Sequence, residues 1–363
     1  MWLWSLALLG CDPDRQENAR EADSSAEKDR PATRSLIEIA ITPPSRATGP
    51  EDPPRSGFRW EAEVIGLATA LVESGLSELP DVAATVDGVE PAPGIANALR
   101  TGSTRWTAEL TMDDDPALLR FQLALCDATA RCLVQQATGS RDDVVAPITD
   151  LLVWAARMLG RPPRAEVWGA PISPDPYAVL VCGRSAAVFY GVLPPVAPER
   201  VGDRNADPIA KAVWLDPGMG LAEWVLGRRE AARGEWGTAR VAFTSATLGR
   251  PGSDGFLADE AAALAAAGKA EAATVAWTAL YETAPADPRY PLPLARAATD
   301  SDQPTLAAKV VDALAPQFLD EPAVVELAVR IADATGPSAD YDQLLARWAE
   351  AYPLEPEPVR RRV

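Results

Sequence analysis

The sequence predicts an α+β amino-terminal domain followed by an all-α array of helical repeats. In residues 35–162, short apolar runs typical of strands alternate with amphipathic helical runs. In residues 174–353, residue types recur at an interval of 34 residues instead. The chain has 363 residues, of which 47% are hydrophobic and 24% charged, a composition typical of a globular protein of about two domains.

The first eleven residues are typical of an export and anchoring signal. Met1–Gly10 is uncharged and mostly apolar, is too short to span a membrane, and ends directly at Cys11. Its end, Leu8-Leu9-Gly10-Cys11, resembles the lipobox of bacterial lipoproteins, which implies lipidation of Cys11. We therefore expect a lipid anchor in the cell envelope, on the periplasmic or outer-membrane face. The alternative is a frayed apolar tail on a cytoplasmic protein.

Two further segments are expected to lack a fold of their own. Residues 12–34 are dense in charge and poor in large apolar residues, so they cannot bury enough surface to become ordered. We expect a flexible tether there, and a loose tail over residues 354–363.

The order of elements in residues 35–162 predicts a mixed sheet with helices packed against it. Strands are predicted at Leu36–Thr42, Val82–Val86, Ser103–Met112, Leu118–Leu125 and Cys132–Ala137. Helices are predicted at Phe58–Leu79, Glu90–Leu99 and Asp142–Leu159.

Three segments of this region resemble the TolB amino-terminal-like domain of bacterial envelope and signalling proteins. They are GLATALVESGLSELPDVAAT (Gly66–Thr85), ALRTGSTRWTAELTM (Ala98–Met112) and LALCDATARCLVQQATGSRDDVVAPITDLLVWAARMLG (Leu123–Gly160). That family often joins this domain to tetratricopeptide repeats, which is the order predicted here. The resemblance implies no catalytic residue.

The cysteines favour structural roles. Cys126 and Cys132 flank five residues at a predicted hairpin end, where facing positions can come within disulfide distance. We expect a bridge between them if the protein is exported and free thiols if it is cytoplasmic. Cys182 lies in an apolar helical run and is expected to be a small core residue.

The 34-residue period is the strongest pattern in the chain. Gly234, Gly268, Asp302 and Gly336 are spaced at this interval, each between two helical runs. The first clear repeat, with Leu226-Gly227, Gly234, Trp236, Ala239, Phe243, Ala246 and Pro251, is similar to the tetratricopeptide repeat (TPR) family. Glycine at the turn allows a positive φ, and proline then stops the second helix. An earlier irregular repeat is expected, with helices at Tyr177–Tyr190 and Ala206–Trp214.

The repeat register predicts where a partner would bind. Stacked repeats form a superhelix whose concave face is lined by the first helix of each pair. Arg228, Arg296 and Arg330 share one phase, with Trp224 and Arg289 nearby, so we expect a basic, partly aromatic stripe that binds an acidic segment. The alternative for any single arginine is a solvated helix face. The Lys and Asn pair with which TPR proteins clamp terminal carboxylates is missing at these positions.

Composition excludes several classes of function. The chain has no histidine, which removes imidazole metal ligands and His-dependent nucleophilic catalysis. A net charge of −18 argues against nucleic acid as a partner. We find no phosphate-binding or dinucleotide motif and expect no metal, no cofactor and no enzymatic activity. The predicted function is a protein–protein interaction scaffold. The alternative is a sensory or regulatory module whose amino-terminal domain binds a ligand and signals through the repeats.

Overall fold

A computed structural model describes most of the chain between residues 34 and 336. The described residues are 34–43, 60–114, 118–140, 143–170, 172–197, 200–203, 205–314, 316–336 and 346. The predicted lipobox and Cys11, the tether, the second helix of the last predicted repeat (except residue 346) and the tail lie outside them.

The first region is a five-stranded mixed sheet, as the sequence predicts. Its strands are β1 (Ile37–Thr42), β2 (Val82–Val86), β3 (Thr104–Asp114), β4 (Leu119–Asp127) and β5 (Cys132–Gly139), in the order β2-β1-β3-β4-β5. The central strand β1 is parallel to β2 and β3, whereas β3, β4 and β5 form an antiparallel meander. Helices α1 (Trp60–Ser77) and α2 (Val145–Met158) pack against the sheet.

The helix predicted at Glu90–Leu99 is wrong. The segment contains only a 3-10 turn at Pro93–Ile95. Pro91 and Pro93 have no backbone N–H group to donate, which favours a loop over a helix. The N–H of Gly94 instead donates to the Asp259 carboxylate over 2.7 Å, so the segment packs on the helical region. We call this segment the docked loop.

The second region is helical throughout its described elements. They are α3 (Ala165–Trp168), α4 (Pro176–Phe189), α5 (Pro208–Leu215), α6 (Gly220–Ala232), α7 (Trp236–Gly249), α8 (Asp254–Ala266), α9 (Ala270–Thr283), α10 (Pro291–Asp300), α11 (Pro304–Asp312) and α12 (Pro322–Thr335). Helices α7, α9 and α11 begin at residues 236, 270 and 304, an interval of 34.

The turns within the helix pairs have the left-handed conformation that the sequence predicts. Gly234, Gly268, Asp302 and Gly336 have φ values of 77°, 72°, 59° and 98°. Glycine adopts this conformation without a Cβ clash, and Asp tolerates it better than most residues do. The 34-residue pattern in the sequence therefore coincides with the repeated turns of the structure.

The two regions share a hydrophobic core within the compact unit Thr33–Val363. Helices α1 and α4 cross so closely that a Cβ on Gly66 would lie 2.3 Å from the carbonyl oxygen of Gly183. Leu99, at the end of the docked loop, is fully buried in a second cluster formed by α8 to α12. The sheet region thus rests on the helical region along both clusters.

Candidate partner-binding site

Three of the five residues predicted for an open groove are buried. The exposed fractions of Trp224, Arg228 and Arg289 are 2%, 3% and 3%. The expectation that Arg228 lies in an open groove, outside the packed core, is wrong, because the sheet region of the same chain covers it. Helical periodicity shows which residues share a face, but not what covers that face.

Arg228 of α6 is held by the sheet region. Its Nη1 atom lies 3.0 Å from Oε1 of Glu73 in α1, and its Nη2 atom donates to the carbonyl oxygen of Glu90 over 2.6 Å. The second oxygen of Glu73 accepts a bond of 2.6 Å from the hydroxyl of Tyr190. The charge of the Glu73 carboxylate is therefore balanced by Arg228 within the chain. The apolar helix in which Glu73 lies did not indicate this role in the sequence.

Trp224 supports the docked loop through an acidic residue. Its indole Nε1–H donates to Asp259 in α8 over 2.7 Å, and the other oxygen of Asp259 accepts the N–H of Gly94. Burial raises the pKa of Asp259 to about 6, against the opposing effects of the Arg228 charge and these two hydrogen bonds. A Cβ on Gly94 would lie 2.7 Å from backbone and side-chain atoms of Ala258, so the loop meets α8 at backbone distance.

Arg289 lies in the loop before α10, not within the first helix of a repeat. It forms an ion pair of 2.7 Å with Asp287 and donates to the carbonyl oxygen of Val82 over 2.9 Å. Asp287 also accepts the backbone N–H of Asp81 over 2.9 Å. Arg289 and Asp287 together therefore connect the beginning of β2 to the helical region.

Three polar residues that the sequence analysis missed occupy equivalent positions in successive repeats. Ser253, Asp287 and Glu321 lie 34 residues apart, and each bonds to the sheet region. The Ser253 hydroxyl donates to the Glu78 carboxylate, and a Glu321 carboxylate oxygen accepts the N–H of Arg100 over 2.8 Å. The 34-residue period could have identified these three residues, because each of them lies shortly before the first helix of a pair.

Arg296 and Arg330 are more accessible than the other two arginines. Arg296 is half-buried and donates to the neutral amide oxygen of Asn97 over 2.7 Å. Arg330 is 40% exposed and forms an ion pair of 2.5 Å with Asp300. Only the first of these two lines the cavity described next.

A cleft of about 680 Å³ lies between the docked loop and helices α6, α8 and α10. One wall is formed by Val89, Pro91 and Pro93 of the loop. The helices contribute small residues and three aromatic side chains. Among the lining residues are Ala231, Ala262, Ala297, Phe189, Trp236, Trp277, Arg228 and Arg296. The charged lining residues are two arginines and two acidic residues, Glu90 and Asp300. Because the rest of the lining is mainly apolar, the cleft suits an extended segment that carries apolar side chains.

The cysteines adopt structural roles. Cys126 and Cys132 are joined by a disulfide at the β4–β5 hairpin, where they face each other in register. Cys182 is fully buried in α4, and burial raises the pKa of its thiol to about 12, as expected for a core residue. Among the described residues, no group of three or more Cys, Asp or Glu side chains could hold a metal ion.

The described helices also bear on membrane insertion. None of them combines the length and the apolar character needed to cross a bilayer.

In comparisons with known proteins, no family model matches the chain and no curated protein matches it.

Proposed function

We propose that the chain is a non-catalytic protein-interaction scaffold of the bacterial cell envelope. In this proposal, TPR-type repeats bind an extended segment of a partner protein in the cleft between the docked loop and α6, α8 and α10. The cleft carries the proposal, because it is a recess of about 680 Å³ with a mainly apolar lining that can accept several side chains of a partner segment. Aromatic side chains are enriched among the residues that contribute most to protein interfaces, and Phe189 and Trp236 of the lining are half-buried and so have surface to offer a partner.

The family assignments are part of the proposal. The 34-residue interval of helices α7, α9 and α11 and the repeated positive φ at their turns support a TPR-type array. The mixed sheet with helices α1 and α2 supports the resemblance to the TolB amino-terminal-like domain.

The burial of two of the predicted arginines limits the groups of a partner that this surface can bind. Arg228 and Arg289 already have carboxylate partners within the chain, so they are not free to recruit an acidic segment. Arg296 lines the cleft and bonds to a neutral amide. A partner carboxylate that replaces this amide would gain a charge-assisted hydrogen bond, while its apolar neighbours pack against Trp236.

The proposed location is the membrane surface of the cell envelope. Lipidation of Cys11 would hold the scaffold at the membrane, and the charged residues 12–34 would separate the folded part from the surface. A Cys11→Ser variant should move from the membrane fraction to the soluble fraction of the native host. An unchanged distribution, with Met1 retained in the mature chain, would remove the lipoprotein proposal.

The binding proposal is tested in two steps. Affinity capture from native membranes with mass spectrometry identifies a candidate partner, which is then titrated in purified form against variants of the full chain. A charge-assisted bond contributes about 1.5–3 kcal/mol, so Arg296→Ala should weaken binding by about tenfold or more, and Trp236→Ala should also weaken it. Arg105→Ala is the control, since this arginine lies on β3, is 81% exposed and does not line the cleft. Equal affinities for the wild type and all three variants would refute the cleft as the site.

A second candidate is a regulatory module in which the sheet region binds a ligand. The buried bonds from Arg228 to Glu73 and from Arg289 to Val82 favour this function. Because they join the two regions, a movement of the sheet region would also change contacts in the helical region. A ligand that raises the melting temperature of the full chain and also changes partner affinity would support this function. Ligands that stabilise the chain but leave partner affinity unchanged would count against it.

A further inference from the structure

The cleft offers a cation and apolar surface to a segment that covers it. Arg296 is half-buried and donates to the neutral amide oxygen of Asn97 over 2.7 Å, so a carboxylate would bind it more strongly than this amide does. Phe189 and Trp236 of the lining are half-buried, and Ala265 is exposed. A segment that fits the cleft should therefore combine carboxylates with apolar side chains.

Residues 354–359 of the same chain have this combination. Their sequence is Leu-Glu-Pro-Glu-Pro-Val, in which two carboxylates alternate with apolar residues, and they lie outside the described residues. Each proline disfavours the helical conformation of the residue before it, so the sequence favours an extended segment. Extended proline-containing segments bind in aromatic-lined grooves because they lose little conformational entropy. Residues 12–33, by contrast, carry many charges but no large apolar side chain.

The charges that follow this segment also complement the cleft. Residues 360–362 are three arginines. The acidic lining residues Glu90 and Asp300 are exposed, and Asp300 lies one helical turn after Arg296 on α10. Carboxylates followed by arginines therefore match a lining in which an arginine is followed by a carboxylate.

Helix α12 brings the chain close enough to the cleft. It ends at Thr335 and packs against α10, which lines the cleft. The 18 residues from 337 to 354 span about 27 Å as a helix and up to about 60 Å when extended. Helix α10 has 10 residues and is only about 15 Å long, so residues 354–359 are within reach of its whole length.

We propose that residues 354–359 occupy the cleft of their own chain, with Glu355 or Glu357 bonded to Arg296 and the apolar residues packed on Trp236. A short linker gives such a segment an effective concentration on the order of 1 mM, so a weak intrinsic affinity is sufficient. The consequence for a partner rests on the proposed function. A segment that fills the cleft about half the time lowers partner affinity about twofold, which is less than the tenfold effect expected for Arg296→Ala.

Photo-crosslinking of the purified full chain tests this contact in the absence of a partner. A photoreactive phenylalanine derivative replaces Leu354, and equal amounts of chain with natural and heavy nitrogen isotopes are mixed before irradiation. Mass spectrometry should find crosslinks to the docked loop or to the peptide that contains Trp236. These crosslinks should join residues of one chain, never a light chain to a heavy chain.

Charge reversal tests the role of Arg296. Arg296→Glu should reduce the crosslink yield severalfold because like charges then face each other, and the further changes Glu355→Lys and Glu357→Lys should restore it. Arg105→Glu is the control and should leave the yield unchanged, since this arginine is 81% exposed on β3 and does not line the cleft. Circular dichroism should show that every variant is folded.

Three results would overturn the inference: crosslinks only outside the cleft or none at all, crosslinks between light and heavy chains, and a yield that Arg296→Glu leaves unchanged. None of them would remove the proposed partner site, which the titration with Arg296→Ala tests. Equal affinities in that titration would remove the partner site and leave the crosslinks within the chain in place.

Discussion

Replacement of Arg228 with Met tests how strongly the sheet region is held on the helical region. The side chains of Arg228 and Glu73 are only 2% and 0% exposed, and their atoms lie 3.0 Å apart. Loss of one partner from a buried ion pair leaves the other charge uncompensated, which costs about 3–5 kcal/mol. The variant also loses the bond to the Glu90 carbonyl oxygen and the contact of the guanidinium with the Trp224 ring, at 5.1 Å from its centroid.

This cost converts into a measurable melting shift. At an unfolding entropy of about 2.1 cal/mol/K per residue, the expected loss in Tm by calorimetry is about 4–7 °C for a chain of this size. Arg330→Met is the matched control, because its partner Asp300 is 50% exposed and such exposed pairs contribute about 0–1 kcal/mol. A double variant with Glu73→Leu should lose less than the sum of the single losses. Equal shifts for Arg228→Met and Arg330→Met would refute the inference that the sheet region buries this ion pair.

Three further predictions concern the helix crossing, pH and the hairpin. Gly66→Ala should destabilise the folded chain by about 1–3 kcal/mol in urea unfolding, since its Cβ would meet backbone atoms at 2.3 Å. Gly237→Ala, with open space around it, should instead stabilise the chain by up to about 1 kcal/mol. Destabilisation of similar size in both variants would contradict the close helix crossing. Burial raises the pKa of Glu223 from 4.5 to about 7 in the folded state, so wild-type stability should fall as pH rises from about 4.5 to 7, and Glu223→Gln should remove that part of the fall in a pH series of Tm values. Mass spectrometry of non-reduced peptides from native material should show Cys126 linked to Cys132, and reduction should cost about 2 kcal/mol; free thiols in native material would contradict the bridge.

The local structure could be predicted from the sequence where one pattern dominates. The strands at Val82–Val86 and near Cys132 and the turns at Gly234 and Gly268 follow from alternation, chain breakers and the 34-residue period. The segment after Glu90 could not, because its apolar spacing resembles a helix while its prolines and its docking on α8 select a loop. There the contacts with another region outweigh the local pattern.

The candidate site could be predicted only in part. The shared phase of Arg228, Arg296 and Arg330 predicts one inner face; the first two line the cleft, whereas Arg330 does not. The cover over Arg228 could not be foreseen, since its partner Glu73 is far away in the sequence and sits in an apolar helix. A buried carboxylate looks the same in sequence as an exposed one, and only the packing of α1 on α4 brings the pair together.

The proposed cleft can be tested most directly by site-specific photo-crosslinking in the native host. A photoreactive phenylalanine derivative replaces Trp236, which lines the cleft, or Leu248, which is 78% exposed on α7 and outside the cleft. Mass spectrometry then identifies the crosslinked peptides. We expect one recurring partner segment to be crosslinked from position 236 and none from position 248. The same segment crosslinked equally from both positions, or only from position 248, would contradict it.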